Sequence, residues 1–475
     1  MRWLALIVLL QTAIAQNSVL LGFSDQTVSV NENSAPPPDE IEGAVLQSAL
    51  MSIGVSIYQL PDNVSATEFC ASLPYRDYQI QFCEPDSRVS LDQSAALTFT
   101  NDPLLPKQYY MGTDGVQQIW AQGITGNQTV RICILDSGYD TTHPDLQQNQ
   151  WVNPEEIAGN GIDDDGNGIV DDVHGASFIN GVSSGSVEDN NGHGTLVSGL
   201  IGATVNNQIG IAGMLWNVSL MMCKFMDATG NGQLSDAVSC YNYCLEQKAH
   251  IIHNSWGSTQ YSQALSMAFG AISTRAVPVI TSAGNDGVNT DSQVHYPSGF
   301  SSQYPTVVSV AATDSQSSVA SLSNYGQKTV QLGAPGITIQ GLALNGAYTT
   351  ESGTSFAAPQ VTATAALLYG YLANNRSINI DTQNVATLVV NAILNGTKPY
   401  PKAVDRTRTA NGYLYAPGAL TALIAGLAAQ NNQTTAISGA VGIVVGIVIG
   451  LVVMFFVMIA AFFVYLRVKK RSSDQ

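Results

Sequence analysis

The chain has 475 residues, 45% of them hydrophobic, with 43 glycines and a formal net charge of −17 at pH 7. That length exceeds one small domain, and the composition is that of a folded, tightly turned protein rather than a disordered one. The acidic balance excludes nucleic acid as a partner, and six cysteines are too few to staple a scaffold of this size.

Met1 to Ala15 carries one Arg, an apolar run from Trp3 to Leu10, and Ala13-Ile14-Ala15. This reads as a secretory signal with cleavage expected before Gln16. Residues 16–38 are polar and end in Pro36-Pro37-Pro38, which reads as a linker. Asp39 to about Leu97 reads as a small separate unit. A strand is expected over Ile53–Ile57, a capped helix over Ser65–Leu73, and a strand over Tyr78–Phe82 broken by Glu84-Pro85-Asp86. Cys70 and Cys83 either pair, which would help so small a unit, or remain two thiols.

From Asn101 to about Ala428 short apolar runs alternate with helical ones. The runs are Val130–Leu135, Leu220–Phe225, Ile251–Ile252, Val277–Thr281 and Val307–Ala311. The helices are expected over Ser235–Lys248, Tyr261–Thr274, Ser355–Tyr371 and Thr382–Leu394. Continuous apolar strands between helices predict an α/β fold, a doubly wound parallel sheet covered on both faces. Reactive groups of such sheets gather past the carboxyl ends of the strands. Cys133 and Cys223 fall on expected buried strands and Cys240 and Cys244 on one helix; all four read as structural, with no zinc site, and spacing does not show which are bonded.

Ile437 to Leu466 is uncharged over 30 residues and is followed by Arg467-Val468-Lys469-Lys470-Arg471. It reads as one C-terminal transmembrane helix after a linker at 429–436. The tail 467–475 is then cytoplasmic and the bulk extracellular or lumenal, a single-pass type I arrangement along the secretory pathway or at the cell surface. Gly442, Gly446 and Gly450 suit close pairing of two such helices in a weak dimer, or reflect only the tolerance of membrane helices for glycine. Asn63, Asn127, Asn217, Asn375, Asn395 and Asn432 open glycosylation sequons.

Four short motifs carry the chemistry. Arg131-Ile132-Cys133-Ile134-Leu135 ends on Asp136-Ser137-Gly138. His193 stands between Gly192 and Gly194 at the start of an apolar helix. Ile280-Thr281-Ser282-Ala283-Gly284 ends on Asn285, whose neutral amide is an oxyanion donor. Gly353-Thr354-Ser355-Phe356-Ala357-Ala358-Pro359 sets a serine among small residues at a helix start. A serine hydroxyl needs a base, an orienting group for that base, and donors for the oxyanion. Separately, Asp163, Asp165, Asn167, Ile169 and Asp171 present oxygens at positions one, three, five, seven and nine of a calcium-loop spacing, with Gly166 at six. The bidentate Glu at twelve is missing; His174 stands there.

Together the four motifs resemble the subtilisin-like serine proteases (subtilases, peptidase family S8), in the order Asp, His, Ser, over Asn101 to Ala428. The resemblance implies Asp136 as orienting acid, His193 as general base, Ser355 as nucleophile and Asn285 as oxyanion donor beside the Ser355 N–H. It departs at Leu196, where many members have a second histidine, and at Phe356, where many have Met. It implies polypeptide substrates held along Ser255-Trp256-Gly257, with Ala283-Gly284 as a wall of the pocket for the residue before the scissile bond. His295 would lie at the base of that pocket, shortening it for small or polar residues, or else turn to solvent. The resemblance further implies structural Ca2+ at Asp102, Asp145, Asn207 and the carbonyls of Val205, Ile209 and Ile211, with an Asn-rich turn as the rival reading. It makes residues 16–100 a linker and a small α+β ferredoxin-like propeptide, the enzyme's own inhibitor, cut off near Leu97 to Thr100. The expected protein is a membrane-anchored, calcium-stabilised zymogen of a serine endopeptidase. A catalytically silent receptor or adhesion ectodomain on the same fold is the alternative.

Overall fold

The computed structural model describes residues 18–23, 38–50, 55–74, 79–85, 100–376 and 378–429. The chain divides after Ala96 into two compact units.

The first unit is an antiparallel sheet of β1 (Ser18–Phe23), β2 (Glu40–Ile41), β3 (Ala44–Leu50), β4 (Val55–Gln59) and β5 (Ile80–Pro85), with one described helix, α1 (Ala66–Ser72). The order is β2-β3-β4-β1-β5. Because β1 pairs antiparallel with both β4 and β5, those two run parallel, and α1 joins them in a split β-α-β unit. Residues 24–37, where a ferredoxin-like unit would carry a helix between β1 and β2, lie outside those described. Two expectations change. Residues 18–23 are not linker: β1 lies inside the sheet, and Val19 and Leu21, two apart and so on one face, are fully buried. The strand also does not break at Glu84; β5 continues through Pro85, which an edge strand tolerates because one side of it needs no N–H. Cys70 and Cys83 are disulfide-bonded, beside a core that includes Tyr58, Phe69 and Ile80.

In the second unit α2 (Tyr109–Thr113) and α3 (Val116–Trp120) precede a sheet of β6 (Gly126–Asp136), β7 (Gly175–Ile179), β8 (Val182–Ser184), β9 (Asn217–Lys224), β10 (Ile251–Asn254), β11 (Val279–Ser282), β12 (Val307–Thr313) and β13 (Leu332–Pro335). The order is β13-β12-β11-β10-β6-β9-β7-β8, parallel except for β8. Successive side chains of a strand take opposite faces. Ile132 and Ile134 of β6, with Leu220 and Met222 of β9, join the core that holds α4 (His193–Gly202), α7 (Thr354–Arg376) and α8 (Gln383–Asn395). Cys133 and Leu135, with Met221 and Cys223, face the other layer, α5 (Leu234–Glu246) and α6 (Gln263–Thr274). Both faces being covered is why these strands read as unbroken apolar runs. A hairpin of β14 (Ile339–Ala343) and β15 (Ala347–Glu351) precedes α7.

Cys133 pairs with Cys244 and Cys223 with Cys240, so two neighbouring central strands are both stapled to α5. Among the described residues no helix is long and apolar enough to cross a membrane. The expected signal at 1–15, the span at 437–466 with its three glycines, and the tail lie outside the described residues.

Candidate active site

The sheet brings the motif residues to one rim. Asp136 is the last residue of β6, Asn285 follows β11, Ser255 follows β10, and His193 and Ser355 lie in the first turns of α4 and α7. The Asp136 Oδ1 accepts from the Ser137 N–H at 2.8 Å and contacts His193 Nδ1 at 2.7 Å. With a carboxylate on Nδ1, the neutral ring carries its proton there and leaves Nε2 free as a base. Burial works against charge on His193, but the charge and hydrogen bond of Asp136 outweigh it and raise its pKa above the ordinary histidine value.

Asp189, which the motif reading passed over, holds this pair together. Its carboxylate accepts from the Ser137 hydroxyl (3.0 Å), the Asn191 and Gly192 N–H groups (2.9 Å each), and the N–H and hydroxyl of Thr195 (3.0 and 2.7 Å). The Ser137 hydroxyl in turn accepts from the Gly194 N–H at 3.0 Å. Gly194 must be glycine: a Cβ there would come within 2.1 Å of the Gly138 carbonyl oxygen.

Ser355 owes part of its setting to Pro359. In a helix the N–H of residue i+4 satisfies the carbonyl of residue i, and proline has none. The Ser355 carbonyl therefore accepts from the Ser255 hydroxyl at 2.9 Å. The Ser355 hydroxyl donates to the Ser255 carbonyl at 3.2 Å rather than to the ring of His193. The His193 ring stands beside Phe356, the next residue, with 5.6 Å between ring centroids. Catalytic hydrogen bonds are commonly loose before substrate is bound. The Asn285 Oδ1 accepts from the Thr354 N–H at 2.8 Å and from its hydroxyl at 3.0 Å, which leaves the amide N–H₂ to act as a donor.

A cleft of about 510 Å³ is lined by Ser355, Asn285, Ser255, Trp256, Gly257, Gly284 and His295, with Ser282 and Asp286. Ala283 is not among its walls. It is fully buried against Ala311 and Tyr400, because alternation along the chain puts Ser282 and Gly284 on the open side instead. His295 is buried rather than turned to solvent. A Cβ on Gly257 would meet its Cε1 at 2.0 Å, and one on Gly284 its Nε2 at 3.0 Å, so the ring occupies the space between the two glycines. The Ser298 hydroxyl donates to the His295 carbonyl at 3.0 Å and lies 2.9 Å from Nδ1. That hydroxyl has one proton, so Nδ1 carries its own and Nε2 is a bare acceptor. Burial also lowers the His295 pKa, with Asp286 opposing.

The acidic segment folds differently from its spacing. Oxygens of Glu156, Asp165 and Asp172 lie within 4.8 Å of one another. Asn153 and Asn167 amides each bridge Asp165 to Asp172, at 2.9–3.2 Å. Burial raises the Asp172 pKa, with the Asp165 charge adding to it and the Tyr243 hydroxyl opposing. Asp163 and Asp171 stand outside this cluster. The Asp163 carboxylate accepts from the N–H groups of Gly166, Asn167 and Gly168, and Asp171 from those of Gly159 and Gly161. Ile169 donates its N–H to Asn167 Oδ1. Of the residues that the spacing assigned to an ion, Asp165 joins this cluster, while the Asp163 and Asp171 carboxylates cap turns of the same segment. At the second place, Asp145 accepts from the Asn207 amide at 2.7 Å and the Ile211 N–H at 2.9 Å, and Asp102 from the Asn206 and Asn207 N–H groups. The turn from Val205 through Ile209 to Ile211 wraps these carboxylates, and burial, with Asp102 adding, pushes the Asp145 pKa up to about 6.

Comparison with known proteins agrees with this geometry. Residues 127–442 match the Subtilase family, Peptidase S8. Subtilisin-like protease 1 of Plasmodium falciparum is 38% identical over 258 residues, 51% of this chain and 37% of that protein. Subtilisin-like protease 2 of the same organism is 32% identical over 259 residues, 54% of this chain and 18% of that protein. The Thermostable alkaline protease of Halalkalibacterium halodurans is 32% identical over 295 residues, 62% of this chain and 68% of that protein. The chain thus spans well under half the length of the two malarial relatives. The matched segment holds the Asp136, His193, Asn285 and Ser355 motifs in the order read from the sequence, and the chain belongs to the subtilase family.

Proposed function

We propose that the chain is a serine endopeptidase that cuts polypeptides through an acyl-enzyme. One observation carries the reading: the 2.7 Å contact of Asp136 with His193 Nδ1, at the rim where Ser355 and Asn285 share one cleft. His193 Nε2 takes the Ser355 proton as the hydroxyl attacks the peptide carbonyl. Asp136 holds the ring and stabilises the imidazolium that forms. The Asn285 amide and the Ser355 N–H, unbonded within the helix's first turn, receive the oxyanion. His193 then returns the proton to the leaving amine, and water repeats the sequence to release the acyl group.

The substrate strand lies along Ser255-Trp256-Gly257, and the residue before the scissile bond meets His295. A floor filled by an imidazole with a bare Nε2 favours small residues and hydrogen-bond donors over large aromatics. Calcium is structural: Glu156, Asp165 and Asp172 would hold one ion, and Asp102, Asp145, Asn207 and the 205–211 carbonyls another. All are hard oxygen donors, and Glu156 Oε2 is buried without a partner. Bound there, an ion would neutralise charge and fix loops, with no part in the bond-breaking. The N-terminal unit acts as propeptide and inhibitor, and residues 437–466 anchor the enzyme in a secretory-pathway or surface membrane with its catalytic domain outside.

The test is a fluorophosphonate probe on the full chain beside its Ser355→Ala variant. Labelling of the first and not the second supports the reading. Labelling of both removes Ser355 from the chemistry, and labelling of neither, once the propeptide is cleared, favours the silent receptor fold.

A further inference from the structure

Lys224 ends β9 directly beside Asp136, its register partner on β6. Among the described residues it is the single buried Lys or Arg. Its ammonium donates to the Ser137 carbonyl, next to Asp136 in the chain. An ammonium out of water is unfavourable unless its surroundings are anionic. Four carboxylates face it: Asp189 and Asp136, both buried, and the exposed Asp227 and Glu188. Burial still holds Lys224 below the usual lysine range.

The two buried acids are not equally served. Asp189 receives five hydrogen bonds. Asp136 receives both of its hydrogen bonds on Oδ1, while Oδ2 is buried without a partner. Neutral His193 brings no charge. The fixed positive charge nearest this carboxylate in the sheet is Lys224, one strand away.

We propose that Lys224 is a positioning residue for the acid–base pair: it ties down the Ser137 backbone and sets a positive charge beside Asp136 that opposes formation of the His193 imidazolium. The proposal rests on the triad reading above. The charged and titratable groups around His193 are Asp136, Asp189 and Glu351, with buried His253 also within electrostatic reach. Taking away the Lys224 charge leaves those acids less opposed, so the imidazolium becomes easier to form.

The test compares the pH dependence of kcat/KM for the full chain after maturation, as wild type, Lys224→Met and Lys224→Arg, on one peptide substrate. The acid limb of Lys224→Met is expected to move to higher pH by roughly half a unit or more, while Lys224→Arg keeps it in place. An acid limb unmoved in Lys224→Met, whatever the fall in rate, overturns the proposal, since lost packing alone lowers the curve without sliding it. Should Lys224→Met not fold, ¹³C-lysine NMR of the wild type decides. A Lys224 still charged at pH 8 supports the role, and one already neutral at pH 7 overturns it. Hydrolysis that survives Ser355→Ala strikes the triad reading instead, so the two failures are distinguishable.

Discussion

The Ser255 hydroxyl donates to the Ser355 carbonyl at 2.9 Å, and the Ser355 hydroxyl donates back to the Ser255 carbonyl at 3.2 Å. The pair links the strand end of β10 to the start of α7 across the cleft. It exists because Pro359 leaves that carbonyl free, so Ser255→Ala should strand a buried acceptor. On a Ser355→Ala background, which prevents self-digestion, the loss is expected at about 1–3 kcal/mol. With Pro359→Ala added, a helical N–H reaches the same carbonyl and the cost of Ser255→Ala should shrink. Urea unfolding of the double-mutant cycle measures this, and equal costs in both backgrounds would remove the link to Pro359.

Activity should fall on the acid side as His193 takes a proton. Its pKa is raised by Asp136, so the midpoint of kcat/KM is expected above the ordinary histidine value of about 6.5. Asp136→Asn should cost on the order of 10⁴ in kcat, as the same change does in the Ser-His-Asp template. A midpoint near 5 would contradict the geometry.

Removal of the Asn285 amide should act on kcat and leave KM nearly alone, because the oxyanion appears only in the transition state. The expected loss for Asn285→Ala is on the order of 10²–10³, the size known for one such donor in a subtilisin. A defect confined to KM would assign Asn285 to substrate binding instead.

Asp114 is fully buried with both carboxylate oxygens unpartnered, and burial holds its pKa well above the usual carboxylate range. An acid raised in this way contributes in full below its unfolded value of about 3.9, and the contribution drains away as pH climbs toward the folded value. Asp114→Leu should therefore gain stability over the wild type progressively from pH 4 to pH 8. Thermal unfolding at several pH values checks this, and a gap that narrows as pH rises would refute it.

Chelation should lower the melting temperature by removing whatever ion the folded state binds. The two oxygen sets are separable: Asp145→Asn should blunt the effect at one and Asp165→Asn at the other. A chelator that leaves the melting temperature unchanged in the wild type would argue against both.

Much of the site was legible because its parts are local. Asp136 follows an unbroken apolar run, which a strand covered on both faces must have, and His193 and Ser355 each open an apolar helix among small residues. What stayed hidden depends on docking. Asp189 reads as an ordinary turn acid until its carboxylate is seen joining two loops. Lys224 reads as the charged end of a strand. The calcium-loop spacing named Asp163, Asp165 and Asp171, but it could not show that Glu156 and Asp172 converge on Asp165. Strand β1 stands between a signal and a proline run, and six residues without polar–apolar alternation do not read as a strand without the strands beside them. The bonding of Cys133 and Cys223 was open for the same reason: only the docking of α5 says which helical thiol each strand meets.

Those two bonds bear on how the enzyme can be made. Cys133 lies three residues before Asp136, and its bond to Cys244 closes a loop of 111 residues, worth roughly 4–5 kcal/mol on chain entropy. A host compartment rich in glutathione would deny the nascent polypeptide that clasp. Recombinant production should accordingly succeed in a periplasm or eukaryotic endoplasmic reticulum, and, with all four of these cysteines fully buried, the mature protein should resist mild dithiothreitol for as long as it stays folded.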